Sequence, residues 1–196
     1  TDLSLTAYRG GSHPTSDIKN LSKLLITYME VIRMLFFNKK NKAPEKLVLC
    51  APVTGKMIPL KDVPDPVFSS GTMGKGVGFN PEKGDICAPC DGKIVMLADT
   101  LHAFGMETAD GAEILIHIGL DTVDLNGEGF RKLASEGQKV KRGTPVISVD
   151  LDFMKSKGII MTTPMVVTNS DDYELEINSC TDVTAGETET VTCKRK

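Results

Sequence analysis

With 196 residues, 40% of them hydrophobic, the chain is long enough for one ordinary domain with its own core and an appendage. A formal net charge of −3, with no extended lysine or arginine run, leaves no electrostatic footprint for gripping a phosphate backbone, so nucleic acid is not an expected partner. Five cysteines, an odd number spread along the chain, point to reduced thiols in a cytoplasmic setting rather than to a disulfide framework.

In chain order, residues 1–16 read as a tail, with Gly10, Gly11, Ser12, Pro14, Thr15 and Ser16 and no hydrophobic periodicity. The chain opens on Thr1 rather than Met, which leaves room for a longer parent protein. From Asp17 the pattern changes. Ile18, Leu21, Leu25, Tyr28, Ile32 and Leu35 alternate three- and four-residue steps, the spacing of one helical face, with Ser16 or Asp17 as the cap. Lys19, Lys23, Glu30 and Arg33 interrupt the run of about 18 apolar residues that a membrane span needs. The helix is expected to dock on protein, with contact to a membrane surface through residues 17–37 as the alternative. Asn38 to Pro44 reads as a linker, so residues 1–46 form a tail, a helix and a connection.

Beyond residue 47, Val, Ile, Gly, Thr and Pro dominate and aromatic residues are sparse, which predicts many short strands joined by turns. Ala51-Pro52-Val53-Thr54-Gly55-Lys56-Met57 is echoed by Ala88-Pro89-Cys90-Asp91-Gly92-Lys93-Ile94. A strand, a glycine turn and a strand used twice suit an antiparallel barrel or sandwich built from two related halves. Glu136 to Ile147 reads as a further hairpin, and short helices are expected only near 124–135 and 152–157. Residues 47–196 are therefore read as one all-β domain.

The chemistry narrows to two histidines, because His13 lies in the tail. Between His102 and His117, Asp110-Gly111 is flanked by apolar segments and signals a two-residue hairpin turn. Such a turn pairs Phe104 with His117 and His102 with Gly119. Thr100, His102 and Phe104 then share a face with Leu115, His117 and Gly119, and the imidazoles are diagonal neighbours. Gly119, lacking a side chain, leaves open space opposite His102. A neutral imidazole nitrogen can attack phosphorus, and a second imidazole, its tautomer held by the Thr100 hydroxyl, can donate a hydrogen bond to the incoming phosphoryl oxygens. On geometry alone, two satisfied polar histidines in a core fit equally well.

The segment Gly111-Ala112-Glu113-Ile114-Leu115-Ile116-His117-Ile118-Gly119-Leu120-Asp121-Thr122-Val123 resembles the active-site signature of the glucose-type IIA domains of the bacterial sugar phosphotransferase system. The likeness extends in order over about residues 47–196, through Asp62 to Phe68, Ala88 to Gly92, His102-Ala103-Phe104, Asn126 to Phe130 and Glu136 to Val140. The resemblance implies a phosphocarrier that accepts a phosphoryl group on His117 from the phosphocarrier protein HPr. It then passes the group to a cysteine of a IIB domain during sugar uptake, with no cofactor. It further implies His102 as the second active-site histidine, Thr100 as its hydrogen-bond partner and Asp65 and Asp121 as carboxylates that meet a partner arginine. Val67, Phe68, Leu115 and Val123 would be the apolar surround.

Rival readings rest on local features. Cys87-Ala88-Pro89-Cys90 has redox spacing, but residues three apart on a strand point to opposite faces, and packing cysteines are expected. His117 to Asp121 fits the His-x-x-x-Asp spacing of some zinc-dependent barrel hydrolases but lacks their His-x-His partner, and no metal is expected. Lys56, Lys93 and Lys155 lack the neighbours of a biotinyl or lipoyl lysine. A module that binds regulatory protein targets through the same histidine face, without turnover, is the remaining alternative.

Overall fold

The computed structural model describes residues 46–196. The tail, helix and linker that the sequence predicts before them lie outside the described residues.

The strands are short, as the glycine- and proline-punctuated sequence predicts. They are β1 (Leu47–Cys50), β2 (Gly55–Pro59), β3 (Lys75–Pro81), β4 (Asp85–Cys87), β5 (Gly92–Leu97), β6 (Ala103–Glu107) and β7 (Glu113–His117). There follow β8 (Phe130–Lys132), β9 (Lys139–Val140), β10 (Pro145–Val149), β11 (Thr163–Val167), β12 (Tyr173–Ile177), β13 (Asp182–Val183) and β14 (Glu189–Arg195). Two brief helices, α1 (Pro66–Ser69) and α2 (Leu151–Ser156), complete the described elements together with three 3-10 turns. All pairings are antiparallel. One eight-stranded sheet runs β13-β2-β3-β11-β7-β6-β5-β9, and two three-stranded sheets run β1-β14-β12 and β4-β10-β8.

The core lies between the large sheet and the two small ones. Val77, Phe79, Ile94, Phe104, Ile116 and Met165 of the large sheet share one buried cluster with Leu49 and Val191 of the first small sheet and Ile86 and Ile147 of the second. Alternation along β7 sets which residues take part: Ile114 and Ile116 enter this cluster, while Leu115 and His117 face the other way. Burying one isoleucine stabilises the fold by about 1.5–3 kcal/mol relative to exposing it, so a one-residue slip of β7 would be heavily penalised. Hydrophobic burial thus holds His117 on the face opposite the main core.

The duplicated motif is a structural repeat. Gly55 and Gly92 each open a strand, β2 and β5, and these pair outward with β13 and β9 through Gly55↔Val183 and Gly92↔Val140. Inward they pair with β3 and β6 through Lys56↔Asn80 and Lys93↔Glu107. The strands β11 and β7 meet at the centre, with Met165 opposite Ile116. Even the connecting hydrogen bonds repeat, Cys50 N–H donating to the Pro89 carbonyl and Cys87 N–H to that of Pro52.

Three local expectations fail. The turn between β6 and β7 is not the two-residue type: Gly111 N–H donates to the Thr108 carbonyl and Thr108 N–H to that of Ala112, enclosing three residues, Ala109–Gly111. Only Gly111 has positive φ, +82°, whereas the two-residue turn would need Asp110 there as well. The Thr108 hydroxyl contacts the Asp110 carboxylate and accepts from Ala112 N–H at 2.9 Å, which favours the larger loop. Next, β9 and β10 do not form a hairpin; β9 pairs with β5, whereas β10 pairs with β4 and β8 on its two edges. Finally, 124–135 is not helical beyond the 3-10 turn Thr122–Leu125, because Asn126, Gly127 and Gly129 all take positive φ. The expected helix at 152–157 is present as α2, and α1 was not foreseen.

Candidate active site

The three-residue loop shifts the register by one. Ala103, not Phe104, stands opposite His117, and the His102 carbonyl accepts from Ile118 N–H at 2.7 Å. In a regular ladder this would send the two imidazoles to opposite faces. His102, however, precedes β6 and closes a tight turn in which Leu101 takes φ +57°, so it escapes the strand alternation. The rings meet after all, with centroids 5.1 Å apart and planes inclined at 67°. Phe104 does not share their face and belongs to the main core instead.

On its other side His117 meets Phe68, ring centroids 5.2 Å apart. Phe68 is placed by α1, whose start is favoured by Pro66 in the first turn and by the Asp65 carboxylate, which accepts from Val67 N–H at 2.7 Å. The Asp65 carbonyl also accepts from the Ser69 hydroxyl. Asp65 is thus the cap of the helix that carries Phe68.

The tautomer of His117 follows from its partner. Nδ1 lies 2.7 Å from the Gly119 carbonyl, which can only accept, so Nδ1 carries the proton and Nε2 holds the lone pair. Gly119 has φ +71°, and a Cβ there would approach Thr122 Cγ2 to 2.7 Å and the Met161 sulfur to 3.0 Å. The expectation of open space opposite His102 is therefore wrong: the glycine permits a left-handed bend that aims a carbonyl at the imidazole, in close contact with two side chains. The Thr122 hydroxyl donates to the Ile118 carbonyl at 2.6 Å, and Leu120 N–H donates to that of Ile160 at 2.8 Å, so the strap 118–120 is pinned on both sides. Ile160 and Met161 escaped the sequence reading, and nothing local marked them. Thr122 entered it only as a position of the signature, with no contact foreseen.

Thr100 Oγ1 contacts His102 Nδ1, as expected. Burial lowers both imidazole pKa values to about 4, with the neighbouring His117 adding to the shift of His102 and the Gly119 carbonyl opposing that of His117. Both rings are therefore neutral at physiological pH. The arrangement is one unprotonated ring nitrogen, Nε2 of the nearly buried His117, in a recess shared with Phe68 and with a second neutral imidazole against it. Leu115 is buried beside them, Val67 and Val123 are half-buried, and Asp121 is exposed at φ +56°.

Residues 47–173 match the family described as "phosphoenolpyruvate-dependent sugar phosphotransferase system, EIIA 1". The chain belongs to this family. It is 41% identical over 167 residues to the glucose-specific EIIA component of Haemophilus influenzae, covering 85% of this chain and all of that protein. It is 42% identical to the namesake from Oceanobacillus iheyensis over 77% of this chain and 92% of that one. The N-acetylglucosamine-specific EIICBA component of Klebsiella pneumoniae matches at 42% over 75% of this chain but only 22% of its own length. Among solved structures, the glucose permease IIA of Mycoplasma capricolum superposes with a TM-score of 0.71 at 38% identity, covering 80% of this chain and 97% of that one.

The IIA domain is thus a phosphocarrier component of the sugar phosphotransferase system, and the family replaces the zinc-hydrolase and biotinyl-carrier readings. Cys87 and Cys90 are buried and unbonded, and burial pushes their thiols up to about 11 and about 12. Neither is a thiolate at neutral pH, which fits packing rather than redox chemistry. Among the described residues no helix is long and apolar enough to cross a membrane.

Proposed function

We propose that His117 Nε2 accepts the phosphoryl group from the phosphohistidine of HPr and yields it to a cysteine of a IIB domain, in the cytoplasm. The observation that carries this reading is the Nδ1 contact with the Gly119 carbonyl, which leaves Nε2 as the nucleophilic nitrogen of a ring that burial keeps neutral. In the first step the Nε2 lone pair forms the new N–P bond while the donor's N–P bond breaks, its electron pair staying on the donor imidazole. His117 neither gains nor loses a proton, because Nδ1–H remains on Gly119 throughout. In the second step a cysteine thiolate attacks phosphorus and the Nε2 lone pair is restored.

Within this reading the Thr100 hydroxyl donates to His102 Nδ1, so that His102 Nε2 carries a proton and donates to the phosphoryl oxygens as they gain charge in transfer. Asp65 and Asp121 meet cationic groups of the partner, and Val67, Phe68, Leu115 and Val123 form the apolar surround. Residues 47–196 carry the whole activity. The test is incubation with enzyme I, HPr and labelled phosphoenolpyruvate, followed by peptide mapping. Acid-labile label on the peptide containing His117 is expected; label on another residue, or none, refutes the reading.

A further inference from the structure

Helix α2 ends in a way that fixes the chain after it. Gly158 N–H donates to the Lys155 carbonyl and Ile159 N–H to that of Met154, with Gly158 at φ +70°, the double hydrogen bond of a left-handed helix cap. Ile159 packs with Met154 against the core, and Met161 packs there too, its sulfur close to Gly119. Between these two anchored residues Ile160 is 53% exposed, the most exposed of the large apolar side chains among the described residues. Its own carbonyl is held by Leu120 N–H, three residues after His117. An isoleucine left in water between two anchored neighbours gains nothing for the fold, and its backbone is hydrogen-bonded to the strap 118–120 that follows the buried His117.

The occupant follows from the chemistry of transfer. His117 is only 8% exposed, so a donor phosphohistidine must press its protein surface against the rim before phosphorus can reach Nε2. Anything within a side chain's length of the recess is then covered by that donor. We propose that Ile160 is a docking residue for the phosphohistidine-bearing donor protein, taking an apolar side chain of the partner while the flanking carboxylates Asp65 and Asp121 meet its cations. This inference rests on the proposed acceptance of phosphate by His117.

The test compares Ile160→Ser with Ile177→Ser, which removes an isoleucine of similar exposure, 49%, on β12. Each variant and the parent are phosphorylated by phospho-HPr and, separately, by phosphoramidate, a small donor that needs no protein interface. Ile160→Ser should raise KM for phospho-HPr about tenfold, the loss expected for a covered aliphatic group, and leave labelling by phosphoramidate unchanged. Ile177→Ser should match the parent with both donors, and Ile160→Leu should restore most of the affinity. An unchanged KM in Ile160→Ser overturns the proposal, as does an equal loss with both donors, which would make Ile160 a wall of the recess rather than a docking residue. A parent that is labelled on His117 by neither donor refutes the underlying transfer reading instead.

Discussion

The two halves of the repeat share a frame and differ in what they build on it. The register that places Met165 opposite Ile116 puts Val166 and Gly76 in one half where the other half has His117 and Ala103. The connection between the first pair of repeated strands is long, residues 60–74, and supplies α1, Val63, Phe68 and Met73, all three side chains buried. The corresponding connection between β5 and β6 is the tight turn that delivers Thr100 and His102. One half therefore grows a lid over its outer face, and part of that lid, Phe68, reaches across to the imidazole of the other half. Symmetry made the sheet; a difference in two connections made the site.

The largest effect that sharpens this contrast is loss of the nucleophile. His117→Ala should reduce phosphoryl acceptance to background, because the half that carries Val166 offers no substitute nitrogen; stable acid-labile label on this variant would show that the asymmetry does not carry the chemistry. His102→Ala should still accept phosphate from HPr, but pass it to the IIB domain about 100-fold more slowly, the range seen when one transition-state hydrogen-bond donor is lost. Single-turnover transfer in both directions separates the two steps, and equal forward rates would remove His102 from the mechanism.

Two glycines with similar backbone conformations should diverge. Gly119→Ala should cost about 2–4 kcal/mol in urea unfolding and impair acceptance, since its Cβ meets Thr122 and Met161 in addition to the strain of φ +71°. Gly111→Ala, at φ +82° but with nothing within 4 Å of the new Cβ, should cost only about 1 kcal/mol. Comparable losses would mean that backbone strain, and not the crowded strap, governs Gly119.

The pH dependence is smaller and has a definite sign. With both imidazoles at about 4 in the folded state, against an ordinary value of 6.5, the neutral nucleophile persists in mild acid. Acceptance by His117 should be flat from pH 8 to about 5 and fall toward pH 4, whereas an exposed histidine would lose half its neutral form near 6.5. As pH falls, the unfolded chain binds protons first. Stability contributed by these neutral histidines is thus complete above about pH 6.5 and is lost between there and about pH 4. Urea titrations at pH 7.5 and 5 should differ less for the His102→Ala, His117→Ala double variant than for the parent. The smallest effect concerns the rim. Asp121→Asn and Asp65→Asn, the latter keeping a capping side chain, should each slow association with HPr by a few-fold at low salt and by less at high salt. A salt-independent result would reduce both carboxylates to turn and cap residues.

The sequence alone was enough to identify a β-rich domain, its duplicated Ala-Pro-x-x-Gly-Lys segments and the sharing of one face by Leu115 and His117, because alternation and turn chemistry are local. It also singled out His102, His117 and Thr100, and the long signature around His117 carried the family. The meeting of the two histidines was anticipated by a turn that does not exist: the three-residue loop displaced the register by one, and the left-handed Leu101 restored the contact. Neither was legible, since a positive φ at a leucine is imposed by its surroundings rather than preferred by the residue. Phe68 against His117, the Gly119 carbonyl on Nδ1 and Ile160 beside Leu120 all join segments far apart in the chain or depend on a bend between them. Only packing of the whole domain could place them, because the contacts that set the tautomer, depth and surroundings of the His117 imidazole form when distant strands close on one another.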